Sequence, residues 1–207
     1  MTQLKKMAQL IPGLSKSGKL TIEQAAYIEK VSELADAHSD ELISNGSKDH
    51  AKVLIHALLS RAKSEVKLFS SYLSSDIYDD EAILDALDHV INDRKIKLEI
   101  LLQEPENSID ENTGSYQESK FLNRCVSAVS RPPSDDSQIF LKISKKEHKD
   151  ILSHFMTMDD DAYRFCEDKT NPNRQAVASF KRPKTVSNLK RQFDIMFMDA
   201  IDYQGAK

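Results

Sequence analysis

The chain has 207 residues, a hydrophobic fraction of 40%, a charged fraction of 30% and a formal net charge of −4. This is the balance of a soluble globular protein with enough residues for one sizeable core. It argues against a surface that binds polyanions everywhere, and no apolar run approaches the roughly 18 residues of a membrane span. The first residues carry lysines but no long apolar stretch of the kind that opens a secretion signal. Two cysteines, Cys125 and Cys166, are too few for a disulfide framework and lack metal-ligand spacing. The expectation is a cytoplasmic protein with both thiols free and buried.

Charge is unevenly placed along the chain. From Tyr72 to Glu111 there are twelve acids against three bases, and from Lys169 to Arg191 seven bases and no acid. A local basic block of this kind permits one phosphate-binding face on an otherwise acidic molecule. Residues 1–20 hold four lysines and no acid, broken by Pro12, Gly13 and Gly18, and read as a flexible basic arm. Thr21 and Gln24 have capping-box spacing, which predicts a helix running to about Ile43 with Ile22, Ala26, Val31, Leu34, Ala35 and Leu42 on its apolar face. Asn45-Gly46 is its expected stop. Ser47 is the expected cap of a second helix that buries Val53, Leu54, Ala57 and Leu58 and ends near Lys63.

The period then changes. Val66, Leu68 and Ser70 alternate with Lys67 and Phe69, the pattern of a strand. Residues 80–94 read as a helix with Ile83, Leu84, Leu87, Val90 and Ile91 on one side, and Ile96, Leu98, Ile100 and Leu102 as a second strand. Strand–helix–strand order predicts parallel pairing through a right-handed crossover. A polar loop follows over 103–115, then a helix from Tyr116 to Val129, a break at Arg131-Pro132-Pro133, and a strand from Ile139 to Ile143. A hairpin is predicted over 150–167, a short strand over Gln175–Phe180, and a last helix opened by Pro183. Val186, Leu189, Phe193, Met196 and Ala200 recur at helical spacing and mark that helix's core face; Lys184, Lys190 and Arg191 are expected to face outward.

The hairpin carries the chemistry. On a strand, His154, Met156 and Met158 share one face, and Asp159-Asp160-Asp161 is a turn in which aspartate hydrogen-bonds its own backbone. A metal site from His148 and His154 lacks the spacing of known ligand motifs, and Ser179 does not sit in a Gly-x-Ser-x-Gly elbow. No metal and no cofactor is expected.

This order of residues resembles the phospholipase D-like superfamily, whose strand and turn carry His-x-Lys-x4-Asp, followed by a strand ending in Gly-Ser-x-Asn. Aligned on His154, Met156 stands at the lysine position and Asp161 at the aspartate position. Ala178, Ser179 and Lys181 stand where Gly, Ser and Asn would be. The resemblance covers roughly residues 48–202 and implies an α/β sandwich: a mixed sheet flanked by helices, here with an N-terminal helical extension. The expected division is an arm over 1–20, the extension over 21–46 and the phospholipase D-like domain over 47–207.

In such a family histidine attacks phosphorus, a second histidine from another motif protonates the leaving group, and lysine neutralises the phosphate oxygens. One motif here implies a homodimer if a complete site is to form, with His154 and Asp161 as its catalytic residues. Methionine cannot replace the lysine's charge. The resemblance therefore implies a non-catalytic or weakly catalytic module that binds a phosphate-bearing partner, above all nucleic acid, through Arg164, Arg174, Ser179, Lys181, Arg182 and Lys184. Bacterial relatives of this type accompany nucleic-acid processing or defence systems. The alternatives are an active homodimeric phosphodiesterase or nuclease with Lys181 or Arg164 in place of the lost lysine, and a structural subunit that docks a protein partner through residues 21–63.

Overall fold

The computed structural model describes residues 21–92, 96–105, 119–129, 138–168, 170 and 175–203. The elements in chain order are α1 (Ile22–Asp36), β1 (Ile43–Asn45), α2 (Lys48–Arg61), β2 (Glu65–Ser70), α3 (Ser75–Tyr78), α4 (Glu81–Asn92), β3 (Lys97–Leu102), α5 (Lys120–Val129), β4 (Ile139–Ile143), β5 (His154–Met158), β6 (Ala162–Cys166), β7 (Ala176–Ser179), α6 (Pro183–Met198) and β8 (Ile201–Asp202). A single 3-10 turn, Lys146–His148, lies between β4 and β5.

The strands form one eight-stranded mixed sheet in the order β1-β7-β6-β5-β2-β3-β4-β8. Strands β2, β3 and β4 are parallel, with helices in the connections, and β5 lies antiparallel on the other side of β2. The hairpin then extends the sheet outward through β6 and β7 to β1, all antiparallel. Thus β2 is the strand where the parallel half meets the antiparallel half.

Both faces of the sheet are covered. Val66, Leu68, Leu98, Ile100, Met156 and Met158 pack against the layer made by α1, α2, α4 and α5. The alternate residues Phe69, Leu101, Phe155 and Tyr163 pack against Val186, Leu189, Phe193 and Met196 of α6. The periodicity of 2 in the strands divides their side chains between these two cores. No described helix is long and apolar enough to cross a membrane.

Local chemistry sets the boundaries. Thr21 and Gln24 form the expected capping box, and Ser47 Oγ accepts from His50 N–H at the start of α2. The first helix is shorter than its periodicity predicts. It stops at Asp36, His38 takes a left-handed φ of 46°, and Ile43–Asn45 becomes an edge strand against β7. Leu42, expected on the helix's apolar face, is exposed. The residues that read as one helix to Ile43 instead turn to join the sheet, and α1 and β1 share the main core with the rest of the chain. The described part of the helix expected over 116–129 begins at Lys120, and Tyr116 falls outside the described residues.

The Asp159 turn also departs from expectation. Asp159 does not bond its own backbone. Its carboxylate accepts from Lys63 N–H, Ser64 N–H and hydroxyl, and Glu65 N–H at 2.8–3.2 Å, more than ninety residues away. Its φ of 50° aims the side chain at the chain entering β2. Hydrogen bonds to a charged acceptor are each worth roughly 1.5–3 kcal/mol. Asp159→Ala should therefore destabilise the fold by about 2 kcal/mol in urea denaturation, and Asp159→Asn, which keeps one acceptor, by less than half of that.

Beneath α6 lies a buried ionic cluster that periodicity did not reveal. Lys67 on β2 is 4% exposed and Glu99 on β3 is 5% exposed. Lys67 Nζ donates to Glu99 at 2.5 Å and to Asp194 of α6 at 2.6 Å, and it sits 5.1 Å from the centre of the Phe193 ring. Lys190, expected to face outward, is half-buried and bridges Glu65 at 2.7 Å and Asp160 at 2.9 Å. Burial pulls the Lys67 ammonium down, but the hydrogen bonds it donates to Asp194 and Glu99 outweigh it and hold its pKa above the usual lysine value. A raised folded pKa gives stability that is fully present below the unfolded value of about 10.4 and lost as pH rises through the folded one. Lys67→Met takes the buried cation from Glu99 and Asp194 but leaves Glu99 its bridge to Lys97 at 2.7 Å, so it should cost about 3 kcal/mol or less at neutral pH. Asp194→Asn, at a half-exposed position, should cost about 1 kcal/mol or less; parallel urea melts measure both.

Candidate functional site

Where β2 ends and β5 begins, the helix-facing side of the sheet opens into a cavity of about 250 Å³. Its position follows from topology: the C-terminal ends of parallel strands, at the point where strand direction changes, leave a crevice between diverging connections. The residues that matter chemically in its wall are Ser71, Tyr72, Glu104, His154, Arg164 and Cys166.

His154 is half-buried at the first position of β5. Ser71 N–H donates to His154 Nε2 at 2.9 Å, and Ser71 Oγ lies 3.1 Å from the same nitrogen. A backbone N–H can only donate, so it faces the lone pair of Nε2. In the neutral ring the proton therefore sits on Nδ1. The Phe69 ring meets the imidazole edge to face at 6.5 Å.

Met156, two residues on from His154 along β5, is 2% exposed and packs into the main core. Directly across from it on β6 is Arg164, while His154 faces Cys166. Arg164 is thus the diagonal cross-strand neighbour of His154 on the same face. Such neighbours lie roughly 7–8 Å apart, against about 7 Å for residues i and i+2 on one strand. Arg164 therefore stands about as far from His154 as position 156 does, one strand over. Its field reaches beyond the cavity: burial pushes the Tyr27 hydroxyl far up, and the Arg164 guanidinium partly offsets this.

The other sequence-derived site residues gather elsewhere. The hairpin carries the chain from His154 to Met158 before the turn, roughly 14 Å at strand rise. Asp161 lies in that turn, its carboxylate 3.7 Å from His38 Nδ1 and its carbonyl accepting from Arg182 N–H. Ser179 pairs with Tyr163 at the same end, and its hydroxyl donates to the Ser39 carbonyl at 3.4 Å. Arg182 donates twice to the Asp40 carbonyl, and Lys181 and Lys184 are exposed. Arg174 lies outside the described residues. Of the residues read from sequence, His154 and Arg164 share the cavity; Asp161, Ser179, Lys181, Arg182 and Lys184 belong to the opposite end of the strands.

Sequence reading missed Ser71 and Cys166 as parts of this site. Cys166 is brought to His154 because β6 folds straight back along β5, a pairing that equal counting from the turn foretells. Ser71 follows the first parallel strand, the place where α/β sheets bind ligands, and that rule alone would have marked it. Among the described residues no group of three histidine, cysteine or acidic side chains is placed to hold a metal ion.

Comparison with known proteins adds the following. Phosphatidylserine synthase of Haemophilus influenzae Rd KW20 is similar in structure, with 8% identity, a TM-score of 0.55, 87% of this chain covered and 44% of that one. TrmBL2, an archaeal chromatin protein, is similar with 16% identity, a TM-score of 0.50, 87% of this chain covered and 62% of that one. Nuc, a phospholipase D family member from Salmonella typhimurium, matches with 16% identity and a TM-score of 0.49, over 80% of this chain and 100% of its own. The chain spans less than two thirds of the first two proteins, and at such identities likeness speaks for fold alone. No curated protein matches. The model of one family does match, over residues 47–203, a stretch that takes in β2 to β8 and the whole cavity, and by that match the chain belongs to the family described as a domain of unknown function, DUF7931.

Proposed function

We propose that the chain is a phospholipase D-like module, non-catalytic or weakly catalytic, that binds a phosphate group in the His154 cavity. The observation that carries this reading is the position of Arg164, cross-strand from Met156 and in one cavity with His154. A planar guanidinium offers two parallel donors to a phosphate and remains charged at any physiological pH. Met156 removes the mobile ammonium that would follow charge onto the phosphate oxygens during transfer. Ser71 N–H occupies the imidazole nitrogen that an attack would need. Holding a phosphate suits this arrangement better than cleaving one.

Nucleic acid is the partner the reading favours. Lys181, Arg182 and Lys184 stand exposed at the other end of the same strands, a second place for backbone phosphates. The archaeal chromatin protein of similar fold shows a novel mode of DNA binding, which makes the partner class reasonable for this architecture. The active-enzyme reading keeps one support, the same Arg164, as a substitute for the lysine. It requires two chains whose cavities meet.

Isothermal titration with inorganic phosphate and with a short 5′-phosphorylated oligonucleotide tests the proposal. Arg164→Met should weaken both ligands roughly tenfold or more, the scale of one charge-assisted hydrogen bond. Lys181→Glu with Arg182→Glu should weaken the oligonucleotide alone and flatten its salt dependence. Turnover of a generic phosphodiester that disappears in His154→Ala would establish the enzyme in place of the binding module. Unchanged affinities in Arg164→Met would remove the cavity from consideration.

A further inference from the structure

We infer that Gln103 is a positioning residue that sets the protonation of His154 by fixing which way the Ser71 hydroxyl points. The inference deepens the phosphate-binding reading and rests on it only for its affinity arm.

Gln103 follows β3 and is fully buried. Its amide nitrogen donates to the His148 carbonyl at 2.7 Å and to the Ile151 carbonyl at 3.0 Å. Its Oε1 accepts from Ser71 Oγ at 3.0 Å. The orientation of the amide is therefore determined. Turned over, Oε1 would face two carbonyl oxygens with no proton between them, at a cost of roughly 1–3 kcal/mol for each buried group left unsatisfied. Three segments meet at this one side chain: the end of β2, the end of β3 and the chain leading into His154.

The consequence reaches the imidazole through Ser71. That serine presents two groups to His154 Nε2: its N–H at 2.9 Å and its Oγ at 3.1 Å. Because the hydroxyl proton is directed to Gln103, the oxygen offers only lone pairs to the ring. Neutral His154 takes the N–H into its Nε2 lone pair. Charged His154 turns to the oxygen and donates Nε2–H to it. Both protonation states thus find a partner, and the charged state, which favours phosphate, is not excluded. Without the Gln103 acceptor, the hydroxyl proton swings to Nε2, where it joins the N–H in holding the ring neutral.

The other titratable and charged groups facing this cavity are Arg164 and Cys166 on β6, Tyr72 after β2, Tyr78 on α3 and Glu104 after β3. Arg164 disfavours a charged ring and Glu104 favours one. Neither is altered by a neutral substitution at Gln103, so such a change isolates the hydroxyl's direction.

The experiment is an NMR titration of the His154 ring nitrogens in the full chain, with inorganic phosphate affinity measured at about pH 6. Gln103→Leu and the near-isosteric Gln103→Met, which both leave the Ser71 hydroxyl without its acceptor, should lower the His154 pKa. A one-unit fall corresponds to roughly tenfold weaker phosphate binding near that pH. Ser71→Ala removes the acceptor itself; it should also lower the pKa, and adding Gln103→Leu to it should change nothing more. Should the Gln103 variants fail to fold, Ser71→Ala still decides by its sign, because removing a hydroxyl that donated to Nε2 would raise the His154 pKa and not lower it. A raised pKa in Gln103→Leu, Gln103→Met or Ser71→Ala, no shift in folded variants, or additive effects of Ser71→Ala and Gln103→Leu would overturn the inference. A wild-type chain that binds no phosphate would remove the phosphate-binding reading and leave the titration to judge Gln103 alone.

Discussion

The ammonium of Lys67, buried between the sheet and α6, is the constraint from which most of the architecture follows. It stands on β2, the strand with a parallel neighbour on one side and an antiparallel neighbour on the other. An ammonium taken out of water is costly unless its donors are all used. Here Glu99 comes from β3 and Asp194 from α6, so satisfying one charge fixes the sheet's second face to its covering helix. The same strand ends at Ser70, and the next residue is the one that grips His154. Register established at Lys67 is passed along β2 to the cavity floor. At the strand's other end, Asp159 holds the chain entering β2 and returns the β5–β6 hairpin against it. β2 is thus tied at its start, centre and end by polar contacts that its apolar neighbours alone would not specify.

Those contacts are what sequence periodicity cannot supply. The alternation of Val66, Leu68 and Ser70 identifies a strand, and its i+2 pattern correctly separates two faces. It does not tell that the face carrying Lys67 is covered, because lysine at that spacing usually marks solvent. The same limit hid the role of Lys190, which sits on the half-turn of α6 beside Glu65. Capping chemistry was legible because it is local: Thr21 with Gln24, Ser47 with His50, and Pro183 at the start of α6 each act within one turn. The end of α1 was not, since the helix yields at Asp36 to an edge pairing with β7 that lies more than 130 residues downstream.

The site was half legible for a related reason. His154 declared itself through the hairpin that carries it. The residues paired with it across the sequence motif did not all follow it in space. A strand that turns at Asp159 and pairs residue for residue must bring Cys166 back to His154, and must leave Ser179, one strand further, at the turn end. Reading Ala178, Ser179 and Lys181 as part of one site treats sequence order as spatial order. The antiparallel return separates them by the length of β5. Ser71 and Gln103, from the ends of two parallel strands, enter the cavity through topology and leave no mark in any linear pattern.

On the proposed reading, a cation across the strand at 164 in place of one along it at 156 changes what the cavity can do more than where its charge sits. From His154 the two positions are nearly equidistant. A lysine at 156 would bring a compact ammonium on a flexible stem, free to follow charge as a bond to phosphorus breaks. Arg164 stands on β6, its backbone held by pairing with β5 and β7, and its guanidinium is a planar fork. Met156 meanwhile contributes its whole side chain to the core below. On that reading an apolar residue at 156 packs the floor of the cavity and a planar cation stands across from it, an arrangement that suits a bound ground state more than a moving transition state. A protein under pressure to cleave would gain little from either. A protein that must hold a phosphate end against thermal motion gains from both.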